Sequence, residues 1–292
     1  MAAEYNQVFF PESLSELFSE WGHFPNAAPF AGGTAISGGT AIRGGTSLFR
    51  TTQQHLVRGK YALPPIILSL DKINDLKKIT RTERYLEIGA MVKLNEIILL
   101  GKILPAVLRS CLESIAGPQL RNIATIGGNI CNTENRVNAG CPLVALDAKY
   151  ELSSEQFSRW ISASRFLSPI SGNVLNQQEL LTRIRIPLEN WDYSVYRRFS
   201  CPVNSGSSAV FLMKHQKNIL TEIRVIYKAD SIIRDIDSES LLVGNQLPLS
   251  RKIAGDFIEK WNNFTLGING IDEEARVKLI NFIDLTMHNL SE

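Results

Sequence analysis

The spacing of apolar residues predicts an alternation of helices and short strands in the first 170 residues. After Pro11, apolar residues recur at helical spacing over 12–21, which predicts an amphipathic helix. Two further helices are predicted at 93–100 and 105–115, the second ending at Gly117. Short apolar runs predict strands at 28–31, 65–70 and 85–88.

Beyond about residue 170 the pattern becomes richer in strands. Strand-like runs occur at 181–186, 208–213 and 220–227, and two helical stretches follow at 254–262 and 272–290. Strands followed by helices are typical of a small α+β domain, which we expect at the carboxyl end of the chain.

Glycine clusters are the strongest candidate binding elements. Residues 125–129 read Thr-Ile-Gly-Gly-Asn, and three Gly-Gly-Thr triplets begin at Gly32, Gly38 and Gly44. Without a Cβ atom, such segments let backbone amides approach an anion or adopt positive φ. Two Gly-rich segments therefore indicate a phosphate-bearing cofactor held from both sides.

Glycine pairs also end strands and fill turns without any ligand. The segment around 125–129 is more specific than a turn requires, because Gly117-Pro118 opens it and Arg121-Asn122 precede its glycines. The six-residue repeat is too short for a solenoid and indicates a local duplication inside a loop. Which of the three triplets contacts the ligand stays open.

Composition excludes several classes of function. The chain has 292 residues, 44% hydrophobic and 21% charged, and 31 basic against 29 acidic residues give a formal charge of +2. Neither nucleic-acid binding nor a membrane span is indicated, and we expect a cytoplasmic protein. The cysteines and histidines lack the spacing of metal ligands, so no metal site is predicted.

The order of the motifs carries a family resemblance. The segments PFAGGT, PPIILSLDKI, YLEIGAMVKLNEI, IAGPQLRNIATIGGNICN, CPLVALDAKYEL and LLTRIRIP follow one another between residues 30 and 187. In this order they resemble the FAD-binding subunit of molybdenum hydroxylases, the xanthine and carbon monoxide dehydrogenase group.

That resemblance implies a fold and a set of partners. The fold would be α+β, with a two-lobed FAD-binding domain of the vanillyl-alcohol-oxidase (PCMH) type, lobes 1–60 and 61–175, and a small α+β domain over 176–292. The chain would pass electrons from a separate 2Fe-2S subunit through FAD to NAD or another acceptor. A separate molybdopterin subunit would hydroxylate the substrate, as in xanthine dehydrogenase.

The resemblance also implies cofactor contacts. Backbone amides of the first or third triplet would bind the FAD pyrophosphate, residues 125–129 its diphosphate and ribityl regions, and Ile115 and Leu181 would lie near the flavin ring. Asn138 stands where the family has a cofactor-binding aspartate, and Arg197 where it has a lysine. The cofactor-binding residues expected are Ala31, Gly32, Gly33, Thr34, Gly44, Gly45, Thr46, Ser47, Ile115, Thr125, Ile126, Gly127, Gly128, Asn129, Asn138, Leu181 and Arg197.

No residue is expected to act as a general acid or base, because the flavin itself carries the electrons. Two alternatives stay open. The chain could be a degenerate scaffold without flavin, since the three copies of Gly-Gly-Thr and Asn138 both fall where the cofactor would lie. It could also be a stand-alone flavin oxidoreductase of the same fold, which would need a substrate pocket and a base above the flavin.

Overall fold

Three β-sheets with helices against them form the described part of the chain. The computed structural model describes residues 7–33, 43–44, 66–131, 139–168, 174–176, 178–199, 206–229, 231–268 and 271–291. Within these ranges, one sheet is parallel and the other two are antiparallel.

The first sheet is parallel and has the strand order β1-β4-β2-β3. Its strands are β1 (Gln7–Phe9), β2 (Ala28–Gly33), β3 (Arg43–Gly44) and β4 (Ile66–Ser69). Helix α1 (Leu14–His23) packs on it and buries Leu17, Phe18 and Trp21. The predicted helix over 12–21 is confirmed, but it starts later because Ser13 caps it, accepting a hydrogen bond from Glu16 N.

The second sheet is antiparallel and has the order β5-β6-β9-β7-β8. Its strands are β5 (Ile79–Arg81), β6 (Tyr85–Gly89), β7 (Lys149–Ser153), β8 (Ser158–Ser162) and β9 (Leu180–Pro187). Strands β6, β7 and β9 alternate buried and more exposed residues along much of their length, as expected for a sheet with one face in a core.

The helices of this part are short, and most of them share one core with the second sheet. They are α2 (Leu94–Ile98), α3 (Ala106–Ser114), α4 (Pro118–Arg121), α5 (Ile126–Ile130), α6 (Gly140–Ala145) and α7 (Ala163–Phe166), with 3₁₀ turns at Asn74–Lys77 and Gly101–Ile103. The predicted helices at 93–100 and 105–115 are confirmed as α2 and α3. The Gly-Gly segment lies in α5, which sequence spacing did not predict to be helical.

The third sheet is antiparallel, in the order β10-β11-β12-β13. Its strands are β10 (Tyr193–Phe199), β11 (Ser207–Gln216), β12 (Ile219–Lys228) and β13 (Ile232–Ile233). Helices α8 (Ile236–Leu242), α9 (Arg251–Leu266) and α10 (Glu273–Ser291) complete a separate core around Phe257, Trp261 and Ile283.

The opposite face of the third sheet joins the main core. Val210, Leu212 and Ile226 are fully buried in the cluster formed by the second sheet and its helices. Polar contacts fix the same junction, because Tyr196 OH lies 3.3 Å from Ser114 Oγ and Arg198 donates to Ser114 O. The end of α3 is therefore held by the carboxyl-terminal sheet.

The division at 60 and 175 remains a prediction. Strand pairing joins β4, at 66–69, to the amino-terminal sheet and joins β9, at 180–187, to the second sheet. We propose later boundaries on this ground, near residue 70 and near residue 190.

Candidate functional site

The Gly-rich segments meet at the carboxyl ends of two parallel strands. Gly33, at the end of β2, pairs with Gly44 of β3, so a glycine of the first triplet lies beside a glycine of the third. Helix α5 packs against both strands. Ligands of parallel sheets bind beyond the carboxyl ends of the strands, and this meeting point is therefore the candidate site.

Helix α5 begins with a side-chain cap. The Thr125 Oγ1 atom accepts a hydrogen bond of 3.1 Å from Gly128 N, and the Thr125 side chain is fully buried. The backbone of Thr125 also pairs with that of Lys93, which begins α2. Thr125 thus fixes the start of α5 against a neighbouring helix.

The amides of α5 are used within the protein. Ile126 N donates to Val92 O at 3.0 Å, Gly127 N to Ala90 O at 2.9 Å, and Asn129 N to Thr125 O at 2.9 Å. Gly127 and Gly128 are helical and do not have positive φ. Of the two expected uses of these glycines, close approach to an anion or positive φ, the second does not apply, and Gly127 provides close packing within the protein.

The packing at Gly127 leaves no room for a side chain. A Cβ atom built on Gly127 would lie 2.8 Å from both Ala90 Cβ and Ala90 O. Real Cβ atoms do not approach backbone atoms this closely, so only glycine fits. The close approach lets α5 sit directly on the chain leaving β6.

Asn129 ties α5 to the next helix. Its Oδ1 atom accepts a 2.8 Å hydrogen bond from Ala139 N, immediately before α6, and only 8% of the residue is exposed. Oδ1 is the acceptor of this bond, and the Nδ2 group is the donor that Asn129 can offer a ligand. The hydroxyl proton of Thr125 is the corresponding donor at the start of α5.

The turn that leads into the site is held by Arg121. Its Nη1 atom donates to Glu113 O at 2.7 Å and to Ala116 O at 2.8 Å, which caps the carboxyl end of α3. Ala116 adopts φ 50°, a left-handed conformation that costs free energy for a residue with a Cβ atom. The capping role of Arg121 has no signal in the sequence, because it depends on the folded turn.

The two residues expected near the flavin ring lie in different surroundings. Ile115 follows α3 and is 9% exposed, whereas Leu181 is fully buried and pairs with Leu152 across the second sheet. Helix α5 contacts β9, the strand that carries Leu181. Both roles remain predictions.

Arg197 is an exposed residue of β10 that pairs with Ala209. Ala31 is 7% exposed at the end of β2, and Gly32 follows it there. The other expected contacts, Thr34, Gly45, Thr46, Ser47 and Asn138, lie outside the described residues.

Burial shifts the pKa values of three groups in or beside α2 and α3. Burial lowers the pKa of Lys93, helped by Lys77 and opposed by Asp71 and Glu96. Burial also raises the pKa of the Cys111 thiol to about 12 and that of Tyr196 well above its usual value. Cys111 and Tyr196 are therefore neutral at physiological pH and structural in character.

Two negative findings apply to the described ranges alone. No group of His, Cys, Asp or Glu side chains there could hold a metal ion. No helix there is long and apolar enough to cross a membrane.

Comparison with protein families identifies the class of this chain. Residues 3–189 match the model of the FAD binding domain in molybdopterin dehydrogenase. The match covers more than half of the chain and all of the candidate site. The chain belongs to this family.

Similar proteins are medium chains and FAD-binding subunits. The glyceraldehyde dehydrogenase medium chain of Sulfolobus acidocaldarius is 25% identical over 242 residues, which cover 81% of this chain and 80% of that protein. The carbon monoxide dehydrogenase medium chain of Afipia carboxidovorans is 28% identical over 66% of this chain and 69% of that protein. The xanthine dehydrogenase FAD-binding subunit of Escherichia coli O157:H7 is 33% identical, over 41% of this chain and 42% of that protein.

Solved structures share the fold over nearly the whole chain. Quinoline 2-oxidoreductase from Pseudomonas putida 86 superposes with a TM-score of 0.76 at 19% identity, covering 98% of this chain and 95% of that chain. Carbon monoxide dehydrogenase from Oligotropha carboxidovorans superposes with a TM-score of 0.76 at 20% identity, covering 99% of this chain and 97% of that chain. The predicted α+β fold of the FAD-binding subunits is confirmed.

The family identifies FAD as the cofactor, as predicted, and the described residues fit it. A dinucleotide pyrophosphate needs a backbone that it can approach closely. Gly33 pairs with Gly44 beside α5, and neither residue carries a Cβ atom that would keep a pyrophosphate away from the backbone. The missing side chain at Gly127 instead lets α5 pack directly on Ala90.

Proposed function

We propose that this chain is the FAD-binding electron-transfer subunit of a multi-subunit molybdenum hydroxylase. It would accept electrons from a 2Fe-2S subunit and pass them through FAD to NAD or another acceptor. The observation that carries the proposal is the packing of α5 against the carboxyl ends of β2 and β3, where Gly33 pairs with Gly44.

Within this proposal, the protein binds and positions the cofactor. The ends of β2 and β3 would supply backbone amides to the pyrophosphate, and Thr125 and Asn129 would supply side-chain donors. The flavin supplies the capacity to accept and release electrons one or two at a time. Arg121 would keep the turn after α3 in place and so fix the position of Ile115 beside the ring.

Partner subunits follow from the names of the similar proteins. Two of them are called medium chains and a third an FAD-binding subunit, which indicates assembly with other chains. We propose a 2Fe-2S subunit and a molybdopterin subunit as partners. The substrate, whether a purine as in xanthine dehydrogenase, an aldehyde or another compound, would be chosen by the molybdopterin subunit. A cytoplasmic location belongs to the same proposal.

Co-purification of the assembled complex tests this function. The chain would be co-expressed with candidate 2Fe-2S and molybdopterin subunits from the same organism, and FAD, iron and molybdenum would be measured per complex. We expect one FAD per copy of this chain, and bleaching of the flavin absorbance when a substrate of the molybdopterin subunit is added anaerobically. A complex that reduces an external acceptor at full rate while its flavin stays oxidised would contradict the proposal.

A flavin-free scaffold is the second candidate, and one observation favours it. The amides of Ile126, Gly127, Gly128 and Asn129 all donate within the protein, which leaves fewer backbone donors for a pyrophosphate. Tight FAD binding by the isolated chain would exclude this candidate, because a scaffold has no need to hold the cofactor.

A further inference from the structure

A cleft lies at the start of α3. The turn at Ile115, which belongs to the candidate FAD site, lies at the other end of that helix. The cleft has a volume of about 880 Å³ and lies between the second sheet and the third. We call it the basic cleft; it is lined by residues 105–107 at the start of α3 and by Arg81, Lys102, Arg109 and Trp191. None of its lining residues belongs to β2, β3 or α5, so it is separate from the candidate FAD site.

Positive charge dominates the basic cleft. Arg81, Lys102 and Arg109 line it together with the acidic residues Glu83 and Glu189. Glu189 is already paired with Lys214, at 2.5 Å. Three cations therefore face the single remaining carboxylate of Glu83, a balance that attracts an anion.

The start of α3 adds further donors. Pro105 precedes the helix and provides no side-chain cap, and Leu108 N and Arg109 N both donate to Pro105 O. The amides of Ala106 and Val107 come before the first intrahelical bond, so the helix offers them no acceptor. Both residues line the cleft, where the positive end of the helix dipole favours negative charge.

Unsatisfied side chains provide an independent observation. Arg109 Nε and Trp191 Nε1 are buried and have no hydrogen-bond partner within the described part of the chain. Proteins rarely leave buried donors unpaired, because a donor removed from water without a new partner destabilises the fold. A ligand that brings an acceptor into the cleft would relieve this cost at Arg109 Nε after a small movement of the Arg109 side chain.

The wall formed by Trp191 is rigid. Lys214 Nζ lies 4.2 Å and Arg224 Cζ 4.9 Å from the centre of its ring. Arg224 is itself fixed by Asp147 at 2.7 Å and by Glu222 at 2.5 Å. The indole is therefore held in one orientation before any ligand arrives.

Size and lining identify the class of ligand. Small-molecule sites usually measure about 300–1,000 Å³ and combine an apolar lining with a few placed polar groups. Leu104, Leu188 and Leu212 supply apolar lining here, beside the cations. We propose that the basic cleft binds a small organic anion, with a carboxylate or phosphate group on an apolar or aromatic body.

Nuclear magnetic resonance of the full chain tests this site. The indole N–H signal of Trp191, assigned through Trp191→Phe, would be followed while phenyl phosphate or benzoate is added. Benzyl alcohol serves as the uncharged probe. Arg109→Gln removes the cation whose Nε is buried and unpartnered within the described part of the chain, and Arg251→Gln, at an exposed position that starts α9, is the matched control.

We expect a saturable shift with one or both anions, with a Kd below about 1 mM. The anion with the lower Kd identifies the preferred head group, phosphate for phenyl phosphate or carboxylate for benzoate. Arg109→Gln should weaken binding at least tenfold, and Arg251→Gln should leave it unchanged.

Three results would overturn the inference: no saturable shift with either anion up to about 10 mM, equal affinity in Arg109→Gln, or equal binding of benzyl alcohol. Loss of FAD binding would not affect the inference, because the two sites share no residue.

Discussion

Gly127 N donates a 2.9 Å hydrogen bond to Ala90 O, and a Cβ atom on Gly127 would lie 2.8 Å from that same oxygen. The contact joins α5 to the chain that leaves β6. It therefore sets how closely the Gly-Gly segment approaches the second sheet, and with it the position of α5 beside β2 and β3.

Substitution of Gly127 by alanine should destabilise the protein by about 1–3 kcal/mol, because the added methyl group has to push Ala90 or α5 away. The measurement is the urea midpoint at an unchanged slope. Gly255→Ala is the matched control, since nothing lies within 4 Å of a Cβ at Gly255 inside α9. That control should stabilise the protein by up to about 1 kcal/mol. Equal stability of Gly127→Ala and the unsubstituted protein would argue against the close contact.

Thr125→Val keeps the shape of the side chain and removes the hydroxyl that accepts from Gly128 N. We expect a loss of about 2 kcal/mol in the free energy of unfolding, because α5 loses its cap and a buried amide loses its partner. Thr125→Ser keeps the hydroxyl and should lose about 1 kcal/mol or less, the contribution of one methyl group. Denaturant unfolding compares the two; equal losses would show that the hydroxyl has no role.

Arg121→Gln should destabilise the turn after α3. The guanidinium donates to Glu113 O and Ala116 O, and glutamine cannot reach both carbonyl oxygens with the same geometry. A loss of about 1–2 kcal/mol is expected in thermal unfolding. Arg251→Gln, at an exposed position, should stay within about 0.5 kcal/mol of the unsubstituted protein. A comparable loss in both variants would rule out a specific capping role.

Glu179 predicts a pH dependence of stability. Burial raises the pKa of this carboxyl, but hydrogen bonds from Arg159 and from Asn176 N outweigh burial and leave the pKa below its usual range. A lowered folded pKa gives stability that is present above the unfolded pKa and is lost as the pH falls through the folded value. The ion pair should therefore stabilise the protein at pH 7 and lose its effect below about pH 4.

The comparison of Glu179→Gln with the unsubstituted protein measures this effect. Their difference in unfolding free energy should be large at pH 7 and shrink as the pH is lowered. Glu259→Gln, at an exposed position in α9, is the control and should show little difference at either pH. A difference in unfolding free energy between Glu179→Gln and the unsubstituted protein that stays constant from pH 7 to below about pH 4 would contradict the lowered pKa of Glu179.

Strong periodicity made many elements predictable from the sequence. The helix at 105–115 appears as α3, one residue shorter at each end, and the strands at 208–213 and 220–227 appear as β11 and β12, each longer by one to three residues at its ends. Strand β10 was missed because its residues are only partly buried, so no apolar run marks it. Helix α8 was missed for a similar reason, since its sequence IDSESLL is mostly polar.

The sequence motifs were sufficient to locate the candidate site. They did not show why a glycine is required at position 127. Sequence spacing cannot show that Ala90 faces Gly127, because the two residues are 37 positions apart and meet only when α5 packs beside β6. The basic cleft depends in the same way on distant segments around residues 81, 105 and 191. Long-range packing of this kind carries no local signal.

Titration of the flavin-free full chain with FAD, followed by flavin fluorescence, tests the central claim most directly. The account predicts saturable binding of one FAD per chain with a Kd below about 1 μM. Gly127→Ala should weaken this binding at least tenfold, whereas Gly255→Ala should leave it unchanged. Absence of saturable binding, or equal affinity in Gly127→Ala, would contradict the claim that α5 and the ends of β2 and β3 hold the cofactor.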